Sequence, residues 1–130
     1  HTARVERDGG VIQIDSSQLV PGDVILLKSG DKVPADARLF EMIDLQTVEA
    51  SLTGESTPIK KNIKKIEIGS QLADRKNMIY MGTMVSRGKA KAVVVATGTK
   101  TEIGKISVLI EEAKEIKRLY RINYLILVNG

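Results

Sequence analysis

The fold is decided by the stretch Lys89-Ala90-Lys91-Ala92-Val93-Val94-Val95-Ala96-Thr97-Gly98-Thr99-Lys100-Thr101-Glu102-Ile103-Gly104-Lys105-Ile106. Up to Thr97 it is apolar and β-branched enough to be a central strand. After Gly98 the period changes, and Ile103, Ile106, Leu109, Ile110, Ala113 and Ile116 recur at helical spacing. Glu111, Glu112, Lys114, Glu115 and Lys117 fill the opposite face. Thr99 stands three residues before Glu102, the spacing of a capping box. The pattern predicts one helix over about residues 102–121, with its apolar stripe turned to a core.

Toward the N-terminus the pattern is β structure interrupted by turns. Val11-Ile12-Gln13-Ile14 and Val24-Ile25-Leu26-Leu27 read as strands, separated by Pro21-Gly22-Asp23 and followed by Ser29-Gly30-Asp31. Residues 35–40 alternate, with Ala37 and Leu39 on one side and Arg38 on the other. Residues 45–52 lead into a loop, and 60–74 is the most polar and irregular stretch. Three further strands, at 78–80, 83–86 and 89–97, are punctuated by Gly82 and Gly88, which read as bends or bulges. The prediction is one mainly β domain over residues 1–130, with its core at about 11–106 and a C-terminal helix. With one Phe, three Tyr and no Trp, that core must be built from Val, Ile, Leu, Met and Ala.

Composition excludes several kinds of chemistry. There is no cysteine and a single histidine, His1, so thiolate and histidine-rich metal sites and cysteine catalysis are ruled out. Acidic residues do recur, as Asp23, Asp31 and Asp36. They sit beside Pro21, Gly22, Gly30 and Pro34, where turn chemistry rather than a metal accounts for them. No stretch approaches the roughly 20 apolar residues that span a bilayer, and the polar start carries no signal peptide. Tyr124-Leu125-Ile126-Leu127-Val128 is apolar but short, either the docking end of a helix or the beginning of a membrane one. The net charge of +4 raises the alternative of a basic β-barrel module for nucleic acid. Against it, the basic residues are scattered apart from Lys60-Lys61-Asn62-Ile63-Lys64-Lys65, which reads as a solvated face, and stacking aromatics are scarce.

One loop could carry catalytic chemistry. In Thr53-Gly54-Glu55-Ser56 a carboxylate follows a glycine and is flanked by two hydroxyls. Such a group can align and deprotonate a water for attack on phosphorus. Taken alone, the four residues read more plainly as a surface turn satisfied by its own hydroxyls.

The blocks around the loop resolve the choice. They are Leu19-Val20-Pro21-Gly22-Asp23-Val24, Gly30-Asp31-Lys32-Val33-Pro34-Ala35-Asp36, and Val48-Glu49-Ala50-Ser51-Leu52-Thr53-Gly54-Glu55-Ser56-Thr57-Pro58-Ile59-Lys60. Met81-Gly82-Thr83-Met84-Val85 with Gly88, and Ala96 through Ile106, complete the set. In order and spacing they resemble the actuator domain of P-type cation-transporting ATPases, most closely the calcium-pump-like branch. The resemblance implies a distorted jelly roll with helical flanks. It also implies that Glu55 activates the water that hydrolyses an aspartyl phosphate, that Gly54 permits close approach, and that Thr53 and Ser56 support the loop. Lys76 and Lys89 become candidate contacts to nucleotide or to the phosphorylation domain, although a solvated lysine is the plainer reading of each. The implied partners are the phosphorylation and nucleotide-binding domains and the membrane helices of the same parent chain. That parent would be an integral membrane protein using Mg2+ and ATP, with this domain on its cytosolic side. This domain would itself hold no cofactor or metal and bind no nucleic acid. Isolated, it would be a monomer without ATPase activity, because the Asp-Lys-Thr-Gly phosphorylation site is not in this sequence.

Overall fold

A computed structural model describes residues 2–64 and 75–129. Among these residues seven strands form one antiparallel sheet: β1 (Thr2–Arg7), β2 (Gly10–Asp15), β3 (Val24–Lys28), β4 (Asp36–Val48), β5 (Ile59–Lys60), β6 (Met78–Ile79) and β7 (Met84–Ala96). Their order is β2-β1-β3-β7-β4-β5, with β6 also on β4. A single helical turn, α1 (Ala50–Thr53), interrupts the path from β4 to β5, and the long helix α2 (Glu102–Asn129) closes the chain. The fold is thus the mainly β sheet with a C-terminal helix that the residue pattern predicts.

The core lies along β1, β3, β4 and β7, where Val5, Ile25, Leu39, Leu45, Val85, Ala92 and Val94 are buried. Ala37 and Leu39 point inward and Arg38 outward, as their alternation requires. Methionine contributes less than expected: Met42 only packs against the core from its edge, and Met84 is exposed. Tyr80 is the largest buried side chain.

Several elements differ from the sequence reading. β1 was not expected, because Arg4, Glu6 and Arg7 make the segment look polar. Yet Ala3 and Val5 are buried between them, and Arg4 and Arg7 are neutralised by Asp31 and Asp23. The expected strands at 83–86 and 89–97 are one strand of 13 residues, running through Gly88. Gly88 has φ +85°, and a Cβ there would lie 2.3 Å from the Ile43 carbonyl oxygen. The facing register slips between Ile43 and Gln46. Gly88 is thus the bulge its glycine suggested, and it bends the β4–β7 ladder within one continuous strand rather than between two.

At the start of α2 it is Thr101, not Thr99, that caps: its Oγ1 accepts the Gly104 N–H at 3.0 Å. Residues 98–100 form a tight turn just before it. The helix runs to Asn129, beyond the expected 121. Its apolar stripe is exposed rather than core-facing, with Leu109, Ile116 and Tyr120 all open. Thr101 and Gly104 are buried at its root, whereas the side chains of residues 105–121 are exposed, so over that stretch α2 runs clear of the sheet. The expected irregular stretch is described only as far as Lys64; 65–74 lies outside the described residues.

The turn acids act as expected of turn chemistry. Asp23 accepts the Val20 N–H and a forked pair of bonds from Arg7. Asp31 accepts the Lys28 N–H and Arg4. Asp36 does more: buried at the start of β4, it accepts the Met81 N–H at 2.9 Å and the Glu102 N–H at 2.8 Å. One carboxylate thereby joins β4, the β6–β7 turn and the N-terminus of α2, where negative charge is favoured. Burial nonetheless raises its pKa above the usual carboxylate value.

Two outcomes follow. Asp36→Ala leaves two N–H groups without their acceptor and should destabilise by about 3 kcal/mol, given about 1.5–3 kcal/mol for a hydrogen bond to a charged group; urea unfolding reads this. Arg7 holds the Asp23 carboxyl below its ordinary 3.8. Its contribution is therefore complete above that pH and lost as pH falls through the lowered folded value. Wild type and Asp23→Asn should differ in stability at neutral pH and converge in strong acid.

Candidate functional site

The 53–56 loop hangs between β4 and β5 and is built from its feet upward. β4 ends at Val48, and Glu49 starts the turn α1 by accepting the N–H groups of Leu52 at 3.0 Å and Thr53 at 2.9 Å on its carbonyl oxygen. The Thr53 hydroxyl donates to that same carbonyl at 3.0 Å. Gly54 then takes φ +81°, a left-handed cap that ends α1 and directs the chain outward. Added bulk at Gly54 would meet nothing within 4 Å, so within this chain the glycine is needed for its backbone angle. The Glu55 N–H returns to the Thr53 hydroxyl at 3.4 Å. Ser51 Oγ donates to the Gly82 carbonyl at 3.0 Å, tying the loop to the β6–β7 turn.

Glu55 and Ser56 are exposed, and no bond from either side chain to another described residue holds them. The loop thus has a fixed base and an open tip. The Thr53 hydroxyl bonds within the loop base, whereas Ser56 is exposed.

Beneath the loop lies a buried ion pair that sequence reasoning missed. Lys61 Nζ is 2.7 Å from Glu49 Oε2, and both side chains are 0% exposed. Lys61 belongs to the run read as a solvated face; its neighbours Lys60 and Lys64 are indeed exposed. The difference arises because β5 pairs with β4 through Gln46↔Lys60 and Thr47↔Ile59, which turns Lys61 inward beside Glu49. Thr47 Oγ1 adds a bond to Glu49 at 3.3 Å, and the Tyr80 ring centroid lies 5.6 Å from the ammonium. Burial holds the Lys61 pKa below the usual lysine range, while Glu49 pulls it back up. Burial also pushes the Tyr80 hydroxyl up to about 12.

Of the candidate lysines, Lys76 is near this base: its carbonyl accepts the Asn62 N–H at 3.0 Å, and its charge opposes that of Lys61. Lys89 is exposed on β7 opposite Ile43. It lies five residues along the strand from Met84, which faces Val48, and so about 16 Å away at roughly 3.3 Å per residue. The structure brings Lys76 and the loop base together and leaves Lys89 apart. Among the described residues, no three His, Cys, Asp or Glu converge as a metal site, and no helix is long and apolar enough to cross a membrane.

Comparison with known proteins accords with this geometry. A family model described as the P-type ATPase actuator domain matches residues 1–111. A probable cation-transporting ATPase F of Mycobacterium tuberculosis is 46% identical over 117 residues, covering 89% of this chain and 13% of that protein. A calcium-transporting ATPase of Listeria monocytogenes is 47% identical over 112 residues, covering 86% and 13%. Among solved structures, a zinc-transporting PIB-type ATPase in its E2.Pi state matches with a TM-score of 0.69 and 28% identity, over 88% of this chain and 17% of that one. The chain therefore spans about an eighth of the length of the curated relatives it matches.

Breaking a buried ion pair from one side costs about 3–5 kcal/mol, because the remaining charge stays desolvated. Lys61→Met and Glu49→Gln should each lose stability of that order in chemical denaturation. The paired replacement Glu49→Leu/Lys61→Met should recover most of it.

Proposed function

Since the chain belongs to the P-type ATPase actuator family, we propose that its 53–56 loop hydrolyses the aspartyl phosphate of a cation pump and that Glu55 is the base. The observation that carries this reading is the contrast within the loop. Thr53 is bonded twice to the Glu49 carbonyl, while the Glu55 carboxylate, two residues on, is exposed and unengaged by described residues. A carboxylate held at its backbone and free at its oxygens suits a reacting centre that arrives on another domain.

The step is an in-line displacement. The Glu55 carboxylate accepts a proton from a water molecule as the water oxygen bonds to phosphorus. The bond from phosphorus to the aspartyl oxygen breaks, releasing inorganic phosphate and a free aspartate carboxylate. Gly54 and Thr53 present Glu55, and the exposed Ser56 hydroxyl can meet a phosphate oxygen. The phosphorylated aspartate, ATP, Mg2+ and the ion ligands belong to the rest of the parent pump, whose cytosolic side this domain would occupy. Hydrolysis would couple to ion movement as the domain turns and pulls on the membrane helices. Calcium is the proposed ion, on the strength of relatives named for calcium transport. Lys76, near the loop base, is the better placed of the two lysines to meet an incoming domain.

In the full-length parent, Glu55→Gln should form phosphoenzyme from ATP normally and slow its decay by about 10²–10⁴-fold, the range for a lost general base. The melting temperature of the domain should stay unchanged. Decay at the wild-type rate would remove Glu55 from the mechanism.

A further inference from the structure

The 53–56 loop is closed by only two ladder pairs, Gln46↔Lys60 and Thr47↔Ile59. Hydrolysis leaves little room for play in such a loop, since a misplacement of about 1 Å can cost about 10²-fold in rate. The bonds that limit the play can be followed link by link. The Glu55 N–H rests on the Thr53 hydroxyl, and Thr53 rests through its N–H and its hydroxyl on the Glu49 carbonyl. Glu49 is fixed by its carboxylate, 2.7 Å from Lys61 Nζ in a fully buried pair. Lys61 lies beyond the loop's other foot, and its N–H bonds the Leu45 carbonyl at 3.0 Å. The pair thus clasps the two ends of the loop across β4 and β5.

We infer that Glu49 and Lys61 are positioning residues for Glu55, acting through Thr53 rather than by touching the phosphate. The inference rests on the reading of Glu55 as the hydrolytic base. An apolar pair of similar volume would fill the space at no charge-desolvation cost, so stability alone does not explain two buried charges. Two opposite charges buried 2.7 Å apart resist separation in a way that apolar contact does not, and fixing register is the best-attested use of such groups.

The test is phosphoenzyme decay in the full-length parent, with phosphoenzyme formation from ATP as the control for folding. The informative variant is Glu49→Leu/Lys61→Met, which leaves no unpaired charge behind. It should form phosphoenzyme at the wild-type level and melt near wild type, yet decay about 10–100-fold more slowly. Lys61→Arg, which keeps the charge, should retain more of the decay rate than Lys61→Met. Added to Glu55→Gln, the double replacement should slow decay no further, because the carboxylate it positions is already gone. Wild-type decay in Glu49→Leu/Lys61→Met while Glu55→Gln stalls would overturn the inference and leave Glu55 in place. Slowing that multiplies in the Glu55→Gln background would also overturn it, by showing that the pair acts elsewhere. Wild-type decay in Glu55→Gln itself would overturn both readings.

Discussion

Everything in this domain hangs on the pairing of β4 with β7. These two strands of 13 residues lie side by side at the middle of the sheet. β3 and β1 extend from β7, while β5 and β6 pair with β4. A ladder this long cannot stay flat, because strands twist, and the register slips let it bend. Gly88 permits one of these accommodations, since any side chain there would occupy the space of the Ile43 and Asp44 carbonyls. Arg87, ion-paired with Asp44 at 2.7 Å, closes the same bulge from outside. The far end of this ladder, where Val48 faces Met84, is where the loop begins. The sheet's bend therefore sets the position from which the loop departs.

Among the described residues, buried charge lies at the joints between the sheet and what projects from it. Asp36 is placed where the helix and the β6–β7 turn meet β4, and the pair of Glu49 with Lys61 where the loop meets it. Elsewhere the core is made of small and branched apolar side chains. Apolar packing is non-directional and favours any close arrangement, whereas a carboxylate between two N–H groups accepts only one. The two projecting elements, α2 and the 53–56 loop, are the parts that cannot be located by core packing, because neither buries much against the sheet. A polar joint is the physical means left to aim them.

This distinction also explains what was legible in the sequence. Strands β2 and β3, the 89–96 half of β7, the turn acids Asp23 and Asp31, and the exposed loop are legible from local pattern, because alternation and turn residues mark them whatever they later pair with. β1 was hidden because its alternation runs through charged residues whose partners, Asp23 and Asp31, lie in distant turns. Lys61 was misplaced in a basic run because its burial depends on a two-residue strand pairing that no window of sequence contains. Thr99 and Thr101 both offer a hydroxyl near the start of α2, and only the turn at 98–100 decides that Thr101 reaches the Gly104 N–H. The apolar stripe of α2 was visible as a period, but period alone does not say what covers it. The roles given to Glu55 and Ser56 came from the ordered blocks of the family, since their own structure is an exposed tip.

That open tip bears on how the chemistry can be divided between domains. A carboxylate already bonded within its own domain would have to break those bonds before it could take a proton from water. Glu55 has no such bond to another described residue, so on the proposed reading the work of orientation would fall on the backbone beneath it. A free side chain on a loose backbone would lose the gain from proximity, which reaches about 7–11 kcal/mol only when geometry is held. The arrangement meets both demands by separating them: rigidity lies at Glu49, Thr53 and Lys61, and freedom at Glu55. If Glu55 is the hydrolytic base as proposed, the same separation would let hydrolysis wait until another domain brings the aspartyl phosphate to it. On the proposed reading, a loop made in this way would couple catalysis to domain position.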